Sequence, residues 1–318
     1  MFDLEAMDQN MRDWVVEAAP AKVNLALAIK QKRPDGYHDL QTVFQTISLC
    51  DRVEVKLEGS EIVCNCGSLS GPDNLAYKAA SVFYESLLRK AGKFPGIGAL
   101  ITIDKNIPVQ AGLAGGSSDA AAVLRALNKL FSYPFSYHQL LTIAQKCGSD
   151  TAFCLKGGTQ WGEGTGAELT ELPPAPKMEL IVVKPEGGIN TAEAYKQFDS
   201  LACFDTIDKQ LWQRLLSTGN SEEIGKSLFN SFEKIAPVLL PEIAEIKRIM
   251  LEAGCYGALL SGSGSAVFGI LQSRRQGERL MNEFKRFGYK NLWLVRTVDS
   301  SEIWERTDKE TTEVKIGD

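Results

Sequence analysis

Residues 108–118 form a segment of small side chains that suits the binding of a phosphate group. The segment reads PVQAGLAGGSS and leads into an alanine-rich stretch. Phosphate approaches a backbone closely only where side chains are small, and a helix that begins at Ser117–Ser118 offers it free amides and a positive dipole end. We expect Gly115 and Gly116 to supply positive φ angles for this approach. A tight turn with serine caps and no ligand is the alternative interpretation. The candidate binding residues are Pro108, Val109, Gln110, Ala111, Gly112, Leu113, Ala114, Gly115, Gly116, Ser117 and Ser118.

Two further segments place a charged side chain beside apolar residues. Lys22 and Asn24 are two residues apart on a predicted strand and therefore face the same side of it. Taken alone, this pattern favours a solvated strand edge. Asp150 follows a glycine and a serine and precedes an uncharged run, which indicates a helix start; taken alone, it favours a simple helix cap.

Three glycine-containing segments imitate known motifs but do not meet their requirements. Residues 219–227 resemble a Walker A loop with five residues between the glycines, where four are required. Residues 162–167 imitate a dinucleotide fingerprint, yet no helix pattern follows them. In residues 261–265, no serine has glycine both two before and two after it, which excludes a nucleophile elbow.

Composition excludes several classes of function. The chain has 318 residues, which favours two domains, and a formal net charge of −5, which argues against nucleic acid as the main partner. Its two histidines, His38 and His138, exclude a histidine-rich metal site and make a Ser-His-Asp triad a poor hypothesis. The seven cysteines lack a zinc or disulfide pattern, and the acidic start has neither signal nor transit character. We therefore predict a protein of the reducing cytoplasm with no membrane partner.

The first half of the chain predicts strands followed by helices. Strands are expected from Val23 onward, at about 40–49 and 52–57, and at 99–103, because apolar residues alternate there or form short runs. Helical spacing follows Asp73, which we expect to cap a helix, and recurs near 138–147. The glycine-dense stretch 157–166 is predicted to be a loop that connects two domains.

The second half predicts a β-α-β-β-α-β order. Strands are expected at 178–184, 257–260, 266–271 and 291–298, and helices at 241–254 and 273–287. This order is that of a split ferredoxin-like unit, here with extra helices inserted at about 191–230. The tail from Asp308 is polar and is expected to be disordered.

Three of these segments together resemble the GHMP kinases, whose members include galactokinase, homoserine kinase and mevalonate kinase. PVQAGLAGGSSDAA is similar to the second motif of that superfamily, and LLSGSGSAVFGI at 259–270 is similar to the third. PAKVNLALAIKQKRPDGYHDLQTVFQTISL at 20–49 resembles the opening signature of the members that phosphorylate 4-diphosphocytidyl-2-C-methyl-D-erythritol. The resemblance spans about residues 17–300, with the motifs in the family order.

The resemblance implies an α+β fold: a ribosomal-S5-like N-terminal domain (1–164) that binds ATP, and a ferredoxin-like C-terminal domain (165–306) before a disordered tail (307–318). It implies transfer of the ATP γ-phosphoryl group to the 2-hydroxyl of the cytidyl substrate in the non-mevalonate isoprenoid pathway of a bacterial cytoplasm. ATP and Mg²⁺ are the implied cofactors. Oligomeric state stays open.

The resemblance also implies roles for individual residues. Asp150 would be the catalytic base and Lys22 its cationic partner, while 108–118 would wrap the ATP phosphates. Substrate contacts would come from Asn24, Tyr37, His38 and Tyr195, with the two tyrosines on opposite faces of the cytosine. Ser118 is the one candidate metal ligand.

Departures from the family pattern and two alternatives remain. Gln110, Ala111 and Ala114 stand where glycine is frequent in the family, and Thr151-Ala152 stand where a hydrophobic residue and proline are usual. Another GHMP kinase, of the mevalonate or homoserine type, is one alternative. A non-catalytic binding protein on the S5-like scaffold, for example one that binds RNA, is the other.

Overall fold

The structure is a computed structural model that describes residues 13–201 and 203–303. The predictions for the N-terminal dozen residues and for the tail from Asp308 fall outside these residues. In the described parts of the chain, every helix is too short or too polar to span a bilayer.

Strands and helices alternate in two groups, which confirms the predicted α+β class. The strands are β1 Trp14–Lys32, β2 His38–Leu57, β3 Ile62–Asn65, β4 Ala99–Asp104, β5 Thr159–Gly164, β6 Glu168–Glu171, β7 Glu179–Lys184, β8 Phe229–Asn230, β9 Gly257–Leu260, β10 Val267–Ile270 and β11 Asn291–Arg296. The helices are α1 Leu75–Ala91, α2 Gly115–Leu130, α3 Tyr137–Cys147, α4 Ser149–Lys156, α5 Thr191–Asp199, α6 Lys209–Thr218, α7 Ser221–Lys226, α8 Ala236–Leu239, α9 Glu242–Glu252 and α10 Arg274–Arg286.

The first sheet has the order β3-β4-β2-β1-β8, and β5 joins β2 while β6 joins β5. The long antiparallel β1–β2 pair is its centre. Because β2 pairs with β5 through its first half and with β4 through its second, the strand is continuous. The predicted break between two strands at residues 49–52 is therefore wrong. The predicted loop at 157–166 is also wrong in most of its length, since β5 occupies it.

Helices α1 to α4 form a layer with the first sheet. The side chain of Asn74, not of Asp73, caps α1 by accepting a hydrogen bond from the Ala76 amide, so the predicted cap is displaced by one residue. Helix α2 is buried over nearly its whole length, because its alanines allow it to lie close to β1 and α1. This burial fixes its N-terminus, and with it the segment 108–118.

The second sheet has the order β11-β7-β10-β9 with antiparallel neighbours throughout. In chain order this is 4-1-3-2, and α9 and α10 follow its first and third strands. The predicted ferredoxin-like arrangement is confirmed, as are the inserted helices α5 to α7.

One hydrophobic cluster joins the two sheets. It combines Val23 and Leu25 of β1 with Leu180 of β7 and Phe268 of β10. The backbone adds a bridge between Ile47 and Thr297. Strands β6 and β8 lie beyond residue 164 yet belong to the first sheet. The domain boundary between residues 164 and 165 therefore stays a prediction.

Candidate active site

The candidate site is a cleft of about 790 Å³ between the two halves of the fold. The first sheet lines it through β1 and β2, and α5 and the loop at 261–265 close it from the other side. The tertiary fold brings six predicted residues from four separate segments to this one cleft. They are Lys22, Asn24, Tyr37, His38, Asp150 and Tyr195.

Lys22 is held at the cleft floor by a chain of hydrogen bonds. Its amino group donates to Asn24 Oδ1 at 2.7 Å, Asn24 Nδ2 donates to Thr42 Oγ1 at 2.7 Å, and Thr42 Oγ1 donates to the Ala26 carbonyl at 2.8 Å. The side chain of Lys22 is only 4% exposed, and its Nζ lies 5.7 Å from the centre of the Phe44 ring. Lys22 and Asn24 do share a strand face, but the solvated strand edge suggested by the sequence alone is wrong.

Asp150 lies in the first turn of α4, opposite Lys22. Its Oδ2 is 3.5 Å from Lys22 Nζ, and its side chain is 32% exposed. Gly148 is the N-cap residue, and no side chain caps this helix, so Asp150 is not a simple cap. The carboxylate therefore sits beside a buried cation at the positive end of a helix, and it faces the cleft.

Residues 108–117 line a second cavity of about 220 Å³ at the N-terminus of α2. Gln110, Gly112 and Ala114 have positive φ angles of 51°, 73° and 58°. Gly115 and Gly116 begin the helix with helical backbone, so the prediction of positive φ at these two glycines is wrong, and the helix starts two residues before Ser117. The alanine at 114 adopts a conformation that usually favours glycine.

Hydrogen bonds from both halves of the fold hold the segment 108–118 in place. The Lys22 amide donates to the Leu113 carbonyl at 3.1 Å, and Ser261 Oγ donates to the Gly112 carbonyl at 2.9 Å. Ser118, the predicted metal ligand, is fully buried, and its hydroxyl donates to the Pro20 carbonyl at 2.8 Å. The third glycine-rich motif thus packs on the second, which the sequence did not indicate.

A buried ion cluster below this segment was also missed by the sequence analysis. Lys105 Nζ bonds to Asp51 Oδ2 and, at 2.7 Å, to Asp119 Oδ2. Asp51 Oδ1 also accepts from the amides of Asn106 and Ile107. A charged residue inside the alanine-rich run after Ser118 was the available signal, because a buried carboxylate requires a partner.

The cluster holds two carboxylates for one cation. Burial raises the pKa of Asp119 to about 7, with Lys105 opposing the rise and Asp51 adding to it. Burial lowers the pKa of Lys105, but the charges of Asp119 and Asp51 outweigh burial and raise it overall. Asp119 Oδ1 is buried without a hydrogen-bond partner among the described residues.

Aromatic rings line the far end of the cleft. The ring of His38 stacks on that of Tyr195, with centroids 4.5 Å apart and planes at 14°, and Phe232 meets Tyr195 edge-on. Tyr37 is 64% exposed at the cleft edge, and no ring contact joins it to Tyr195 within the described chain. Asp199, a residue the sequence analysis did not single out, bonds to His38.

The site has the features of phosphate binding more than of metal binding. In residues 13–201 and 203–303, no group of three His, Cys, Asp or Glu side chains could hold a metal ion. The amides at the start of α2 and the small side chains before it are available to an anion.

Two family models match the chain. That of the GHMP kinases N terminal domain covers residues 74–158, and that of the GHMP kinases C terminal covers residues 212–290. A solved structure of homoserine kinase from Cytophaga hutchinsonii has a TM-score of 0.69 and 22% identity, over 92% of this chain and 97% of that one, and shows the shared fold.

Relatives with higher sequence identity indicate a narrower family. A protein of Desulfitobacterium hafniense, named 4-diphosphocytidyl-2-C-methyl-D-erythritol kinase, is 49% identical over 295 residues, which cover 92% of this chain and 99% of the relative. A crystal structure of 4-(cytidine 5'-diphospho)-2C-methyl-D-erythritol kinase has a TM-score of 0.75 and 34% identity, over 89% of this chain and 98% of that one. The chain therefore belongs to the 4-diphosphocytidyl-2-C-methyl-D-erythritol kinase family of the GHMP kinases.

Proposed function

We propose that the chain transfers the γ-phosphoryl group of ATP to the 2-hydroxyl of 4-diphosphocytidyl-2-C-methyl-D-erythritol, with Asp150 as general base. The observation that carries this proposal is the position of the Lys22–Asp150 pair. Gly112 and Ala114 line both the cavity at the N-terminus of α2 and the larger cleft, and the ion pair lies in the cleft beside them. A hydroxyl bound in the cleft can therefore meet a phosphoryl group held by residues 108–118.

Asp150 removes the proton of the attacking hydroxyl. The hydroxyl oxygen then forms a bond to the γ-phosphorus, the bond from that phosphorus to the β–γ bridging oxygen breaks, and ADP leaves. Lys22 offsets negative charge that develops on the transferred group. Its hydrogen bond to Asn24 fixes the amino group, so little reorganisation is needed during the reaction.

The nucleotide side of the proposal rests on the N-terminus of α2. The amides of its first turn and the positive dipole end stabilise phosphate, and the small residues before it let the backbone approach. Magnesium, when bound with ATP, neutralises charge on the β- and γ-phosphates. It would take most ligands from phosphate oxygens and water, and Ser118 would join them only by giving up its hydrogen bond to Pro20.

The substrate side rests on the aromatic end of the cleft. Tyr37, His38 and Tyr195 offer flat surfaces and a ring nitrogen to a pyrimidine, while Asn24 lies near the reacting end. Mevalonate and homoserine contain no ring, so neither could stack on these aromatic side chains. The acidic net charge and the joint presence of Lys22 and Asp150 argue against an RNA-binding protein.

A substrate comparison tests the proposal. The purified protein is given ATP and magnesium with the cytidyl substrate, mevalonate or homoserine in turn. The rate of ADP release is measured for each, and phosphorus NMR identifies the phosphorylated product. We expect turnover with the cytidyl substrate and a new phosphomonoester at its 2-position. Faster turnover with mevalonate or homoserine would contradict the substrate, and no turnover with any of the three would contradict the kinase function.

A further inference from the structure

The last residue of α5 carries a carboxylate where helix physics disfavours one. Asp199 ends the helix, and a negative charge at a helix C-terminus is repelled by the negative end of the dipole. Two partners compensate this repulsion: Asp199 Oδ2 accepts from Lys32 Nζ at 2.6 Å, and Asp199 Oδ1 lies 2.6 Å from His38 Nε2. Lys32 ends β1 and His38 begins β2, so the carboxylate connects three elements at the edge of the cleft.

This contact determines which nitrogen of His38 carries its proton. Burial raises the pKa of Asp199, but the hydrogen bonds from Lys32 and His38 outweigh burial and hold that pKa below its usual value. An ionised carboxylate only accepts hydrogen bonds, so His38 Nε2 must donate. In the neutral imidazole the other nitrogen, Nδ1, is then an acceptor.

The free nitrogen of His38 is available to a ligand. His38 lines the cleft, and within the described residues Nδ1 has no hydrogen-bond partner. A hydrogen bond to Nδ1 lies in the plane of the imidazole ring, which is within 14° of the plane of Tyr195. A planar base bound through this nitrogen can therefore lie parallel to the Tyr195 ring, so the hydrogen bond is compatible with stacking.

We propose that Asp199 is a specificity-determining residue that fixes the Nε2–H tautomer of His38, so that Nδ1 selects a 4-aminopyrimidine over a 4-oxopyrimidine. The proposal rests on the proposed function, in which His38 meets the base of the substrate. The amino group of a 4-aminopyrimidine donates a hydrogen bond to Nδ1. The oxygen of a 4-oxopyrimidine is an acceptor, as is Nδ1, so the two atoms cannot form a hydrogen bond. Both stay unpaired, which weakens binding by about 5- to 150-fold.

Asp199→Asn reverses this arrangement without changing its shape. The ammonium group of Lys32 can only donate, so it takes the oxygen of the new amide. The NH₂ group of the amide then faces His38 Nε2, which must accept, and the proton moves to Nδ1. Nδ1–H would now favour a 4-oxo group, so the base preference should change while the rings stay in place.

Two measurements at pH 8 test the proposal. The chain has only two histidines, so long-range ¹⁵N–¹H spectra of histidine-labelled protein assign the tautomer of His38 directly. We expect Nε2–H in the wild type and Nδ1–H in Asp199→Asn. In parallel, kcat/KM is compared for the cytidyl substrate and its uridyl analogue. We expect Asp199→Asn to lower the cytidyl-to-uridyl ratio at least tenfold, mainly through KM, with the KM for ATP unchanged.

Glu193→Gln is the matched control, because Glu193 lies on α5, outside the cleft lining, and its loss removes one negative charge from the same helix. It should leave both the tautomer and the ratio as in the wild type. Asp199→Glu, which keeps an acceptor, should retain the cytidyl preference.

Two results would overturn the inference: an unchanged tautomer in Asp199→Asn, or an unchanged cytidyl-to-uridyl ratio, including one in which both substrates lose equally. If the wild type phosphorylates neither compound, the proposed function fails. The inference is then decided by calorimetric binding of CDP and UDP: a cytidine preference that Asp199→Asn reduces tenfold supports it, and equal binding of the two nucleotides overturns it.

Discussion

Gly112 packs so closely on Ser261 that a methyl group on its α-carbon would overlap the Ser261 carbonyl oxygen. This contact joins the two glycine-rich segments of the chain across the boundary between its halves. It fixes the position of the cavity at the N-terminus of α2 relative to the cleft, because Gly112 lines both.

Gly112→Ala should therefore displace the segment 108–118 and weaken ATP binding at least tenfold, measured by calorimetry with a non-hydrolysable analogue. Gly92→Ala is the control, since Gly92 has nearly the same φ, 75° against 73°, but no atom near its missing side chain. That control should lose about 1 kcal/mol of stability and keep its ATP affinity. Equal effects of both substitutions on affinity would show that backbone strain, and not the contact with Ser261, is responsible.

Asp150→Asn should lower turnover by roughly 10²- to 10⁴-fold, the usual contribution of a positioned base. The amide cannot accept the hydroxyl proton, but it keeps the shape of the side chain and its place in α4. ATP affinity should stay within about twofold, and the loss of a favourable charge at the helix start should cost at most about 1 kcal/mol. Turnover within a few-fold of the wild type would remove Asp150 from the mechanism.

Tyr37→Ala should raise the KM for the cytidyl substrate roughly 5- to 150-fold, because stacking of a base on an aromatic ring contributes about 1–3 kcal/mol. Tyr37 is 64% exposed, so its removal should leave the unfolding free energy almost unchanged. The KM for ATP should not move. A parallel rise in both KM values would contradict a role confined to the base.

Tyr195→Ala should raise the same KM by a similar factor, and it should also destabilise the fold, since Tyr195 packs on His38 and Phe232. Tyr195→Phe separates the two effects because it keeps the ring. We expect Tyr195→Phe to bind the cytidyl substrate as the wild type does. If the phenylalanine variant loses as much affinity as the alanine variant, the ring does not act by stacking.

The unfolding free energy should depend on pH through Asp119. Burial raises the pKa of this carboxyl to about 7, whereas an unfolded chain has an ordinary value near 3.8. Between these values the folded state binds a proton that the unfolded state does not, so the contribution of Asp119 to stability falls as pH rises from about 4 to 7. Urea unfolding from pH 5 to 8 measures the slope.

Lys105→Met should steepen that slope. Without the cation, two buried carboxylates face each other, and we expect a loss of about 3–5 kcal/mol at pH 8 and a smaller loss at pH 5, where Asp119 is protonated. Lys78→Met, on the exposed face of α1, is the control and should change neither value. An equal loss at both pH values would mean that Lys105 acts through packing alone.

Several parts of the fold and the site followed from local sequence patterns. The alternation along β1 predicted that Lys22 and Asn24 share a face, and the order of strands and helices after residue 178 predicted the ferredoxin-like sheet. The motif resemblance supplied Asp150, His38 and the two tyrosines, all of which line one cleft. These features could be predicted because they depend on neighbours in the chain or on short motifs.

The glycine-rich segment 157–166 shows where local patterns fail. It was predicted to be a loop, yet Gly162 is part of β5 because it lies under Phe44 of β2, where a methyl group would come within 2.7 Å of the ring. The strand forms because of its partner, and glycine is required by the closeness of that partner. Propensity alone carries no information on such a contact.

What only the tertiary structure decided is the set of pairings between distant charged residues. The sequence contains Lys105, Asp51 and Asp119, as well as Asp199 and His38, but no local pattern predicts which of these residues pair with one another. Folding buries Asp51 and Asp119 beside Lys105, where a missing partner would be costly, and it brings Asp199 to His38 at the edge of the cleft. The sequence by itself therefore determined the family, the order of elements and the residues of the motifs. The packing of the two sheets decided which charges face one another, because electrostatic partners are selected by distance in space.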